Sequence, residues 1–285
     1  MKKGIIIGLL LCAMAASGFA SQSDGIFAYK VGQFDVYMMV ERETAGNAAI
    51  LAGADPAILQ RLIPAAGFKH STNTFLIKTP GRNIVIDTGF GGAIFDKINK
   101  LGVSPDKVDA VLLTHLHGDH IGGLQKDGKA LFPNAKIYLS AKEYEFFTKT
   151  QVNQGAVDAL KPYGANVVTF DPGALGSTLK EILPGVSPFA AHGHTPGHTG
   201  YLVESGGARL LIAGDFLHVA LVQFAYPDIS TTYDADQKAA AIVRRQILDY
   251  AVKNKIPVAG AHIVYPALGT VEAEGNGFKF IPSAE

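Results

Sequence analysis

The residues best equipped for chemistry sit in one short run, Thr114-His115-Leu116-His117-Gly118-Asp119-His120-Ile121-Gly122-Gly123. Four potential metal ligands fall within six positions. His115 and His117 can face one ion from an extended turn. Asp119 and His120, past the flexible Gly118, can face a second ion beside it. Imidazole nitrogen with carboxylate oxygen suits zinc, and other first-row metals are compatible. Gly122 and Gly123 let the following backbone pack closely. An apolar run, Val108–Leu113, precedes the histidines and reads as a buried strand that would hold them at its end.

Four further stretches carry chemistry-bearing residues in order along the chain. They are Asp87 in Ile84-Val85-Ile86-Asp87-Thr88-Gly89, the run Ala191-His192-Gly193-His194-Thr195-Pro196-Gly197-His198-Thr199, Asp215 in Ala213-Gly214-Asp215, and His262 in Gly260-Ala261-His262. Together with the first run they resemble the motifs of the metallo-β-lactamase fold superfamily. From about Gly32 to Pro282 the chain looks most like its methyl parathion hydrolase branch, with the quorum-quenching lactonases as nearer relatives. That resemblance implies a single-domain α/β, four-layer αββα sandwich and a centre of two divalent metal ions, zinc by preference. It implies that His115, His117 and His194 hold one ion, that Asp119, His120 and His262 hold the other, and that Asp215 bridges them. The bridge makes physical sense, because two cations a few Å apart repel and a shared carboxylate and hydroxide offset that repulsion.

Spacing alone leaves the choice among His192, His194 and His198 open. In the family the histidine before Thr-Pro-Gly is the ligand, which here is His194. His198 is then expected to orient ligands through a hydrogen bond, and His192 to be structural. Asp87 is expected to fix the ligand loop, with a turn cap before Thr88-Gly89 as the plainer alternative. His70, beside Lys69 and Ser71, reads as solvated in a polar loop with no role. His218 lies three residues after Asp215, where the lactonases place a Tyr that polarises the substrate carbonyl. An imidazole there could donate a hydrogen bond to substrate or protonate a leaving group; a packed pocket wall is the alternative. Phe90, Phe95, Phe146, Phe147, Phe224 and Tyr226 fall in segments that border the site in the family, and as a group suggest an apolar pocket mouth.

The activity implied is hydrolysis of an ester, lactone or phosphotriester by a metal-bridging hydroxide, with Asp119 and His218 as catalytic groups. β-Lactam hydrolysis fits less well, since class B lactamases lack the bridging Asp. A glyoxalase-type thioesterase would want a helical C-terminal domain. Iron-dependent redox relatives usually carry Glu in the His-x-His position and a flavin domain. The segment Lys149–Lys161 looks shorter than in methyl parathion hydrolase and the chain lacks Trp, so substrate identity does not carry over.

Basic and acidic residues balance at 25 each, which argues against a nucleic-acid partner or an anionic-membrane patch. The expected partner is a small-molecule substrate, and a homodimer is allowed. Residues 1–20 read as a secretory signal peptide: Lys2 and Lys3, an apolar run Ile5–Ala16, and small residues in Gly18-Phe19-Ala20. Periplasmic or secreted localisation follows, with no membrane attachment after cleavage near Ser21. The lone cysteine, Cys12, would leave with the signal, so the metal site must be built from His and Asp. Residues 21–285 suffice for one large domain.

The expected elements are one or two strands over Phe27–Val40, a loop over Gly46–Gly53, and a helix from Asp55-Pro56 to about Ile63. Strands follow at Phe75–Lys78 and Asn83–Ile86, then a helix to about Lys100. Ile137–Leu139 reads as a strand and Ala141–Thr148 as a helix. Strands at Val167–Phe170, Val186–Ala190, Gly200–Glu204 and Arg209–Ala213 precede the longest helix, Asp236–Lys253. Pro257–Ala259 reads as a last short strand.

Overall fold

The computed structural model describes residues 24–284, so the expected signal segment lies outside the described residues. Two sheets face each other. The first runs in the order β1 (Ile26–Val31), β2 (Phe34–Ala45), β4 (Lys69–Thr79), β5 (Arg82–Ile86), β6 (Ala110–Leu112), β9 (Lys136–Ser140), β10 (Val167–Phe170). It is antiparallel as far as β5 and parallel beyond. The second runs β11 (Val186–Ala190), β12 (Thr199–Ser205), β13 (Ala208–Ile212), β15 (Val258–Ala259), β16 (Leu268–Glu274), β17 (Gly277–Pro282), with only β13 and β15 parallel. Two small ribbons pair β3 (Leu51–Ala52) with β14 (Ser230–Thr231), and β7 (Gln125–Lys126) with β8 (Lys129–Ala130).

The period-2 pattern of the first sheet explains the layering. Phe75, Ile77, Ile84, Ile86, Ala110 and Leu112 face the second sheet in one core. Leu76, Val85 and Val111, between them in sequence, face outward into another. That outer core is closed by α2 (Ile94–Lys100) and α5 (Gln154–Leu160), through Ile94, Ile98, Ala156, Ala159 and Leu160. On the far side, beyond the short α6 (Ala220–Gln223) in the chain, α7 (Gln237–Asn254) covers the second sheet with Ile247, Leu248 and Ala251. The result is helix, sheet, sheet, helix. Asp236 caps α7 by accepting from Ala239 N, and Asp55 caps α1 (Pro56–Leu62) by accepting from Ala57 N. Among the described residues no helix is long and apolar enough to cross a membrane.

Three expectations need correction. Pro257–Ala259 is not the last strand: β16 and β17 form a further hairpin, whose outer half, with exposed Glu272 and Glu274 and few apolar residues, carries little strand pattern. The expected helix Ala141–Thr148 stops at Glu145 as α4 (Ala141–Glu145) and continues as a π-helical turn, Phe146–Thr150. β4 begins at Lys69, well before Phe75, because polar Ser71, Thr72, Asn73 and Thr74 are buried at the edge of the site.

Candidate metal centre

The motif residues reach one place because each follows the end of a strand. His115 and His117 lie just past β6, and Asp119 and His120 lie on the single turn α3 (Gly118–Ile121). His194 sits in the turn between β11 and β12, Asp215 just beyond β13, and His262 just beyond β15. Asp215 is the hub. Its Oδ2 is 3.0 Å from His262 Nε2, 3.2 Å from His194 Nε2 and 3.6 Å from His115 Nε2, and its Oδ1 is 3.2 Å from His120 Nε2. His117 Nδ1 is 2.9 Å from His115 Nε2 and 3.0 Å from His194 Nε2. Asp119 Oδ2 is 3.6 Å from both His120 Nε2 and His262 Nε2. Two groups result, His115–His117–His194–Asp215 and Asp119–His120–His262, each with ligand atoms within 4.8 Å of one another.

The outward nitrogens set what the inward ones can be. His120 Nδ1 donates to Asp87 Oδ2 at 2.8 Å, His194 Nδ1 to Asp234 Oδ1 at 3.0 Å, and His262 Nδ1 to the Ser71 carbonyl at 2.9 Å. His115 Nδ1 lies 3.0 Å from Thr114 Oγ1, whose own proton goes to Asp87 Oδ2 at 2.8 Å. With each outer nitrogen protonated, each Nε2 presents a lone pair inward. Where these four rings are neutral, their inward nitrogens face the Asp215 carboxylate as acceptors facing an acceptor. His120 Nε2 and Asp215 Oδ1 are buried without any hydrogen-bond partner. Buried acceptors without donors are costly, and divalent cations among them remove that cost. The donor set, five imidazoles and two carboxylates without sulfur, fits zinc. Burial alone would raise the Asp215 carboxyl; when the His120 and His262 imidazoles are protonated, their charge reverses this and holds it well below the usual carboxylate range.

The backbone is shaped for this arrangement. Asp87 takes a left-handed φ of 55°, rare for a residue with a Cβ. Its carboxylate accepts from Thr114 N and Thr114 Oγ1, both at 2.8 Å, as well as from His120, which ties the ligand loop to the end of β5. His198 Nδ1 donates to the Ala191 carbonyl at 2.9 Å, and its Nε2 accepts the Asp215 backbone N–H at 3.0 Å. Burial pushes this imidazole down to about 3, so it stays neutral and can accept. Gly214 has φ +56°, and a Cβ there would stand 2.6 Å from His198 Nε2. His192 is half-buried, away from the centre, with an unpartnered Nε2.

His218 is buried, with Nε2 at 3.3 Å from Asp215 Oδ2 and Nδ1 unpartnered. Its ring stacks on His262 at 4.6 Å and 23°, and it forms a third group with Asp215 and His262. His70 corrects the solvated reading. It is the second residue of β4, stacks on His262 at 4.6 Å and 20°, and lines the pocket. The aromatic expectation also narrows. Phe90 lines the pocket, but Phe95, Phe146, Phe147 and Phe224 pack in the cores and Tyr226 hydrogen-bonds Arg61. Of these only Phe147 touches a candidate ligand, edge-on to His117.

Two carboxylates escaped sequence reasoning. Glu143 of α4, fully buried, accepts from Leu116 N (3.0 Å), Thr195 Oγ1 (2.7 Å) and Gly197 N (2.9 Å), clasping the loops that carry His115, His117 and His194. Asp234 receives His194 on one oxygen; on the other it takes Thr231 N at 2.9 Å and faces buried Arg244 at 3.6 Å. The centre opens into a pocket of about 770 Å³, whose wall includes His117, Asp119, His218, Phe90 and Tyr233.

The family model of the metallo-beta-lactamase superfamily matches residues 67–252, which takes in every converging motif residue except His262. The chain is similar to AbOPH, a hydrolase in the beta lactamase superfamily, at 27% identity and TM-score 0.83, covering 92% of this chain and 98% of that one. It is similar to AidC, a dizinc quorum-quenching lactonase, at 26% identity and TM-score 0.82, with coverage of 92% and 98%. Among curated proteins, an atrochrysone carboxyl ACP thioesterase of Passalora fulva is 32% identical over 156 residues, 51% of this chain and 38% of that protein. The anti-Pycsar protein Apyc1 of Saccharibacillus brassicae is 40% identical over 60 residues, 21% and 24% of the two chains. The chain thus spans well under half the length of these curated relatives. With its two-sheet sandwich and its motifs in this order, the chain belongs to the metallo-beta-lactamase superfamily.

Proposed function

We propose that the protein is a two-metal hydrolase acting on an ester, lactone or phosphotriester bond. The observation that carries this reading is the converging His/Asp centre, with His120 Nε2 and Asp215 Oδ1 buried and unpartnered, opening into a pocket large enough for a small organic substrate. Support comes from the likeness to AbOPH and AidC along nearly the whole of their length. Bound divalent ions would acidify a water and polarise the scissile oxygen.

The chain's own residues then have separable tasks. His115, His117 and His194 would hold one ion, Asp119, His120 and His262 the other, and Asp215 would reach both. Asp119 is the more exposed carboxylate, its side chain 25% exposed against 2% for Asp215, and it lines the pocket. It is placed to take the proton released by the attacking water and to return it to the departing oxygen. His218 reaches the pocket beside Asp215, and burial pushes its imidazole down to about 3, so it is a neutral hydrogen-bond donor to substrate. His198 and Asp87 act one step back, holding the Asp215 backbone and His120.

A panel of acyl-homoserine lactones, aryl esters, methyl parathion and a cephalosporin, run on zinc-loaded protein, tests the reading. The expected result is turnover of a lactone, ester or phosphotriester that chelation abolishes and zinc restores. Turnover confined to the cephalosporin, or turnover that survives full metal removal, would contradict it.

A further inference from the structure

The end of the β2–β4 ladder carries side chains that neither the metal centre nor the proposed chemistry uses. The register of the pair shifts between Val40 and Arg42, so Glu41 occupies a β-bulge. The bulge turns Glu41 under the strand, where its carboxylate accepts from Gly92 N (2.5 Å) and Ile94 N (2.6 Å). It also sets which residues follow on the pocket side. Beyond it Arg42 pairs with Thr72 and Thr44 pairs with His70, and all four line the pocket that holds Asp119, Asp215 and His262.

This ledge is rich in donors and short of acceptors. The Arg42 guanidinium lies over the Phe90 ring, 5.1 Å from its centroid, which limits its freedom without neutralising it. Its acidic neighbours are engaged elsewhere: Glu41 with the two amides, and Glu43 with Lys69 at 2.6 Å. Among the described residues Arg42 has no ion pair, and the Thr44 and Thr72 hydroxyls have no side-chain hydrogen bond. Arg42 is the only Lys or Arg on the pocket wall among them. A fixed guanidinium beside two free hydroxyls is the arrangement that receives an oxyanion.

We propose that Arg42, Thr44 and Thr72 form an anion subsite that selects substrates carrying a carboxylate on a short chain away from the scissile bond. One guanidinium without a second cation matches a monoanion better than a doubly charged phosphate monoester. Phe90 packs against the apolar linker between the carboxylate and the reacting group. This rests on the reading that the pocket cleaves an acyl or phosphoryl ester, and it adds which ester.

The test compares mono-para-nitrophenyl adipate with para-nitrophenyl hexanoate, which differ in having a terminal carboxylate or a methyl group. On zinc-loaded parent protein the adipate is expected to have the higher kcat/KM by about 5- to 30-fold, the scale of a hydrogen-bonded charge pair in a partly open site, and mainly through KM. Arg42→Gln should bring the ratio near one, and Arg42→Glu should invert it. A parent without preference, or a preference that survives Arg42→Glu, overturns the proposal. A second arm does not depend on turnover. Calorimetric binding of adipanilic acid, an anilide, is compared with its primary amide in parent and Arg42→Glu. If neither ester is cleaved, only the aryl-ester form of the hydrolase reading fails, and this arm still decides the subsite. Tighter binding of the acid that disappears in Arg42→Glu upholds it, and equal binding of acid and amide overturns it.

Discussion

Replacing Glu143 should separate the contribution of the scaffold from that of the ligands. Its carboxylate is fully buried and accepts three hydrogen bonds, from Leu116 N, Thr195 Oγ1 and Gly197 N. In Glu143→Gln the better amide orientation keeps the oxygen on Thr195 and Gly197 and turns the NH2 group toward Leu116 N–H. One donor is then left facing a donor, at a cost of about 2 kcal/mol. Glu143→Ala strands all three and should cost about 3–5 kcal/mol, the scale of breaking a buried charged network. In a domain of this size each kcal/mol moves Tm by roughly 2–4 °C, so the expected drops are about 4–8 °C for Gln and about 6–20 °C for Ala. The clasp also holds Leu116 between two candidate ligands and Thr195 beside a third. Zinc retention against a chelator should therefore weaken by about 10- to 100-fold in both variants. Thermal unfolding of zinc-loaded and chelated protein, with a chelator competition, reads both effects. Melting within about 1 °C of the parent for both variants, with retention unchanged, would refute the reasoning.

Other outcomes follow from the same geometry. His194→Ala removes a candidate ligand and should lose metal and activity together, whereas His198→Ala acts through the Asp215 backbone and should cost about 10- to 100-fold; the reverse ranking would mean that the wrong histidine has been chosen. His218→Ala should lower turnover on the order of 10²-fold with metal content retained, while His218→Tyr should favour lactones over phosphotriesters; unchanged turnover in both would make His218 a bystander. We propose export, with the mature chain starting near Ser21, and N-terminal sequencing of secreted material that returned Met1 would reject it.

What was legible in the sequence was whatever is written locally. His115, His117, Asp119 and His120 share one turn, and Asp215 and His262 each follow a short apolar strand, so their residue types and neighbours announce them. Asp234, Glu143, His70 and Arg42 had no such signal. Asp234 reads as the polar lead-in to α7 and Glu143 as the first turn of an exposed helix. Each reaches its partner across 40 or more positions of chain, from Asp234 to His194 and from Glu143 to Thr195. His70 and Arg42 are aimed by the β2–β4 pairing and its bulge, and neither can be read from a strand taken alone. The final hairpin, β16 and β17, escaped for a similar reason. Its outer half is solvated, so only its pairing with β15 marks it as sheet.

The converging His and Asp residues are expected to hold a pair of metal ions. Elemental analysis of zinc-saturated protein after removal of free metal tests it most directly. Two zinc ions per chain are expected in the parent, with the Asp215→Ala variant falling toward one because the shared carboxylate is gone. One ion per chain in the saturated parent, or none, would contradict it.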